Sequence, residues 1–92
     1  MIIRVLGEGQ LELADQHERE LNRLDDAVAK AINAGDEGAY EQSLAALLER
    51  VRALGSPVPD DTLAPSDSIL PGEGTSLAEV RALLGEQGLI PG

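Results

Sequence analysis

Apolar and polar positions alternate at the start of the chain. Over residues 2–6, Ile3 and Val5 fall on one side, and Ile2, Arg4 and Leu6 on the other, which is the period of a β-strand. Residues 10–13 alternate again, with Leu11 and Leu13 opposite Gln10 and Glu12. Gly7-Glu8-Gly9 lies between the two runs. A short glycine-bearing link between alternating runs signals a hairpin, because glycine adopts positive φ at no steric cost. The pattern predicts a β-hairpin over 2–13.

The period then changes. Leu21, Leu24, Val28, Ala31 and Ile32 recur at spacings of three and four, one apolar stripe on a helix over 15–34. Asp15 with Glu18 three residues on fits a capping box at its start. Gly35 suits the left-handed position after its end, and Asp36 suits the cap of the next helix. That helix, 36–54, carries Tyr40, Leu44, Leu47, Leu48, Val51 and Leu54 before Gly55. So short a link makes the two helices an antiparallel pair.

Segment 56–74 holds four of the five prolines. It is too long for an ordinary connection, which suggests an element within it, a functional loop or a disordered segment. Ser68-Ile69-Leu70 offers a third short strand near 67–70 against the hairpin, with Pro71 ending its ladder. The alternative pins the segment over the helices through Val58, Leu63, Ile69 and Leu70. Ser76 and Glu79 form a second capping pattern, opening a helix over 76–86 with Leu77, Val80, Leu83 and Leu84 on its apolar side. The tail, 87–92, places Leu89 and Ile90 where solvated residues are expected. The fold class is α+β in one domain over 1–92: an N-terminal β-hairpin, an antiparallel αα-hairpin and a short C-terminal helix.

Few residues suggest chemistry. Gly7-Glu8-Gly9 is not a phosphate loop: no third glycine opens a helix, no Gly-Lys-Ser/Thr follows, and a glutamate would repel the anion. His17 is the only histidine and reads as a solvated side chain at a polar helix start. Asp25-Asp26 and Asp60-Asp61 are adjacent carboxylates, but neighbours on a helix point about 100° apart. They read as solvated faces rather than a cation site. Ser43, Ser56, Ser66, Ser68 and Ser76 stand in no nucleophile motif. The expectation is a non-enzyme with no metal and no cofactor.

Charge narrows the partners. The 92 residues carry 17 acids against 7 Lys and Arg, a formal charge of −10. Nucleic acids and anionic lipids are recognised largely through Lys and Arg, so neither fits as a direct ligand. The chain has no cysteine, which excludes disulfides and thiolate metal sites. The run at 1–9 is too short for a signal peptide, and no run nears the ~20 apolar residues of a membrane span. The expected location is cytoplasmic. With Tyr40 the only aromatic residue, the core is aliphatic, and small cores gain from a partner or self-association. The stripes read mainly as core. Arg23, Asp26 and Lys30 flank the first, and Glu41, Glu49, Arg50 and Arg52 the second, where they could select a partner helix by charge.

Several blocks together carry a resemblance. "MIIRVLGEGQLEL" is followed by "ELNRLDDAVAKAINAGDEGAYEQSLAALLERVRALG", then "SDSILP", "TSLAEVRALL" and a closing "GLIPG". In this order and spacing they resemble the PspA-associated protein family, PspAA, over residues 1–92. The second strand reads "LELAD" where many members carry an aromatic residue. The resemblance implies a small α+β accessory of PspA, the coiled-coil membrane-remodelling protein of the phage-shock envelope-stress response. It implies a PspA-like coiled-coil partner, no catalytic residues, and membrane contact only through that partner at the inner face. The candidate partner-binding residues are Ile69, Leu70, Leu89 and Ile90; the alternative is that they close the core. The competing reading is a stand-alone homo-oligomeric structural protein, joined through the hairpin edge or a helix stripe.

Overall fold

The computed structural model describes residues 1–59 and 65–84. Four strands form one mixed sheet: β1 (Ile2–Val5), β2 (Gly9–Glu12), β3 (Ser56–Pro57) and β4 (Ser68–Leu70), in the order β3-β2-β1-β4. Three helices accompany it: α1 (Glu18–Ala34), α2 (Glu37–Leu54) and α3 (Leu77–Leu84).

The hairpin pairs β1 and β2 antiparallel, Ile3 opposite Leu11 and Val5 opposite Gly9. The Glu8 N–H donates to the Val5 carbonyl at 2.9 Å and closes a four-residue turn. Gly7 holds its third position at φ 87°, a value that a side chain there would resist. Alternation does what the sequence predicts. Ile3, Val5 and Leu13 are buried, while Arg4, Leu6 and Glu12 are exposed.

The expected cap at Asp15 does not form. Residues Asp15–His17 make a 3-10 turn before α1, with no side-chain cap. The Asp15 carboxylate accepts from the Met1 amino group at 3.2 Å instead. Further along, the expectations match the geometry. Gly35 is left-handed at φ 70°, Asp36 Oδ1 accepts from the Ala39 N–H at 3.1 Å, and Ser76 Oγ accepts from the Glu79 N–H at 3.1 Å. The two-residue link between α1 and α2 folds them into a hairpin-like pair.

Within 56–74 the structure places two elements. β4 lies parallel to β1, with Arg4 opposite Ile69 and Val5 opposite Leu70, so the mixed sheet adds a parallel pair to the hairpin. β3 was not foreseen; it pairs antiparallel with β2, Leu11 opposite Pro57. Proline is tolerated there because β3 is an edge strand. Leu63, the last two positions of the helix expected over 76–86, and the tail lie outside the described residues.

A single aliphatic cluster holds these elements together. Ile3, Val5, Leu13 and Leu70 come from the sheet side, Leu21, Val28, Ala31 and Ile32 from α1, and Tyr40, Leu44, Leu47, Leu48 and Val51 from α2. Leu77 and Val80 of α3 complete it. Each fully buried Leu, Ile or Val contributes about 1.5–3 kcal/mol relative to exposure.

Candidate functional site

The four candidate residues separate in space. Leu70 is fully buried and belongs to the core, so its side chain closes the fold and is not presented to a partner. Ile69, one residue earlier, turns to the opposite face and is 50% exposed. Leu89 and Ile90 lie outside the described residues.

Ile69 has a companion that the sequence reading placed on the outer side of β1 but did not single out. Leu6 is 42% exposed, so both are large apolar side chains open to solvent. Leu6 directly follows β1, the strand that pairs with β4. Arg4 is opposite Ile69, and the Leu6 N–H donates to the Leu70 carbonyl at 3.0 Å. Leu6 therefore lies one diagonal step from Ile69, with the exposed Arg4 beside both.

Acidic groups flank this edge. The Asp67 carboxylate accepts from the Ile2 N–H at 2.7 Å, and the Asp67 N–H donates to the Ile2 carbonyl at 2.7 Å, which fixes the entry to β4. Past β4, Glu73 is well exposed and 3.8 Å from Arg52 Nη1. Arg52 also grips Glu8 at the hairpin tip with two bonds, Nε–Oε1 2.9 Å and Nη2–Oε2 2.5 Å. That paired hydrogen bond holds the Glu8 carboxyl below its ordinary range. Arg50 grips Glu20 of α1 in the same way, with the same effect on Glu20. Arg50 and Arg52, read from sequence as groups that could select a partner, thus act within the chain.

Asp25 departs from the solvated pair expected of it. Its side chain is buried, 3% exposed, while Asp26 is exposed. The spacing Leu21, Asp25, Val28, Ile32 runs four, three, four and places Asp25 on the stripe itself, a signal available in the sequence. His17 is half-buried at the end of the 3-10 turn. Among the described residues no group of three or more His, Cys, Asp or Glu is placed to hold a metal ion. Among them, too, no helix is long and apolar enough to cross a membrane.

The geometry therefore defines a small α+β protein with two amphipathic helices, a mixed four-stranded sheet, and an acid-flanked apolar edge. The PspA-associated protein family model matches residues 1–92, and the chain belongs to that family, PspAA. Its name ties the family to PspA-type proteins. No curated protein and no solved structure matches the chain.

Proposed function

We propose that this chain is a non-enzymatic adaptor that binds a PspA-like coiled-coil protein and modulates it in the envelope-stress response. The observation that carries this reading is the family match over the whole chain. The charge supports it. At −10 the chain is repelled by anionic lipid, so it works in the cytoplasm and reaches the inner face of the membrane through its partner. It binds no nucleic acid for the same reason. Its contacts with the partner are apolar and electrostatic, and it needs no cofactor. Ile69, with Leu89 and Ile90 of the tail, supplies the apolar part of the interface.

The test is co-purification with the PspA-like protein of the same genome, read by light scattering at low and high salt. A defined complex that weakens with salt is expected, because exposed charges are screened within about 10 Å at 0.1 M. Two proteins that elute separately at both salt concentrations would overturn the reading.

A further inference from the structure

The geometry points to the β1–β4 edge, centred on Leu6 and Ile69, as the seat of a basic amphipathic helix of the partner; this rests on the adaptor reading above. Both side chains are large, apolar and exposed, Ile69 on β4 and Leu6 in the turn directly after β1 and hydrogen-bonded to Leu70, so they offer one patch rather than scattered residues. The charges at the two ends of β4 are acidic: Asp67 and Glu73 are both exposed, with Arg52 Nη1 3.8 Å from Glu73. Asp67 and Glu73 stand just before and just after the strand that carries Ile69. Arg4 is the one cation on the face of β1 beside the patch.

A helix fits this edge better than a strand does. β4 is three residues long, and Pro71 follows it without an N–H, so an added strand would gain few backbone bonds. A helix instead lays an apolar row across Leu6 and Ile69, with Lys or Arg toward Asp67 and Glu73 and one acid toward Arg4. Helices of coiled coils carry such mixed charges beside an apolar seam. A second copy of this chain fits poorly, because joining two β4 edges brings their acidic ends together.

The experiment measures binding of the PspA-like protein from the same genome to wild type, Leu6→Ser, Ile69→Ser, Glu73→Lys and a control, Ala46→Ser, on the exposed side of α2. Expected are at least tenfold weaker binding for the first three variants, unchanged binding for Ala46→Ser, and melting temperatures near wild type for all. The Glu73→Lys loss should shrink at high salt, and that variant carries the test if a serine variant fails to fold. Wild-type binding with Ile69→Ser and Glu73→Lys unaffected overturns this surface while leaving the adaptor reading intact. No wild-type binding overturns both. A wild-type dimer that Ile69→Ser splits, with partner binding unchanged, assigns the edge to a second copy and overturns the inference.

Discussion

Arg81 of α3 donates two hydrogen bonds to one acceptor, the carbonyl of Ile32 in the last turn of α1, Nη2 at 2.6 Å and Nε at 3.2 Å. The same carbonyl accepts the Gly35 N–H at 3.1 Å. A helix C-terminus carries partial negative charge and unpaired carbonyls, so a guanidinium there satisfies both. This contact joins the C-terminal helix to the αα-hairpin, alongside the burial of Leu77 and Val80.

Arg81→Ala should therefore loosen α3 more than an ordinary surface change would. The expected loss is about 1 kcal/mol, the scale of a partly exposed charged hydrogen bond. For a domain of this size that is a fall of roughly 4–8 °C in melting temperature. Hydrogen exchange should show faster exchange in 77–84 than in α1 or α2. Equal exchange in wild type and variant would mean that apolar burial alone seats the helix.

Tyr40 provides a second tie to the same region. Its ring is buried in the core, and its hydroxyl donates to the Thr75 carbonyl at 2.9 Å, just before α3. Tyr40→Phe keeps the ring and removes the bond, at an expected cost of about 1 kcal/mol. Burial raises the Tyr40 pKa above its ordinary 10.0, with Glu79 and Glu41 adding to the effect. The folded state therefore holds the phenol proton more tightly than the unfolded state. The resulting stability is full below pH 10 and is lost as pH rises through the folded value. As the sole tyrosine, its phenolate absorbance should titrate above the value for free tyrosine and return to it in denaturant.

The elements that follow from one-dimensional periodicity could be read before any coordinates. The alternation at Ile3 and Val5, the stripe from Leu21 to Ile32, and the caps at Gly35, Asp36 and Ser76 depend on neighbours within a few residues. β3 could not be read: Ser56 and Pro57 are exposed, only two residues long, and become a strand only because β2 is already there. The split between Ile69 and Leu70 needed the register of β4 on β1, which decides which of two adjacent apolar residues faces the core. Asp15 was claimed by a group distant in sequence, the Met1 amino group, rather than by its own helix. Asp25 lay on the stripe spacing, but its pairing with Asp26 suggested a surface.

Gly72 and Gly38 make opposite predictions for the same substitution. A Cβ at Gly72 would stand 2.7 Å from the Leu6 carbonyl oxygen, a backbone atom that cannot swing aside. Gly72→Ala must push the chain after β4 away from the end of β1, with an expected cost of about 1–3 kcal/mol. At Gly38, in the first turn of α2, the nearest atom is Asp36 Oδ1 at 3.7 Å. Alanine fits there, and Gly38→Ala should stabilise by about 0.5 kcal/mol through helix propensity. Urea unfolding of both variants checks the pair, and a neutral Gly72→Ala would mean that the β1–β4 junction is looser than this contact requires.

Glu8 and Glu20 each add a small contribution of known sign to how the fold responds to acid. Each carboxylate accepts two bonds from an arginine of α2, Glu8 from Arg52 and Glu20 from Arg50. Those hydrogen bonds lower both pKa values from the ordinary 4.5, against a smaller opposing effect of desolvation. A depressed folded pKa means that the unfolded state binds protons first as pH falls. The stabilisation is therefore full above the unfolded value of 4.5 and disappears as pH falls through the folded values. Because both pairs are solvent-accessible, the effect on total stability is small and salt-sensitive. NMR titration of the glutamate side-chain carbons should place Glu8 and Glu20 below the ordinary 4.5. Arg52→Gln should return Glu8 to the ordinary range and leave Glu20 where it was. Movement of both would mean that the general field of α2, rather than two separate pairs, holds the carboxylates down.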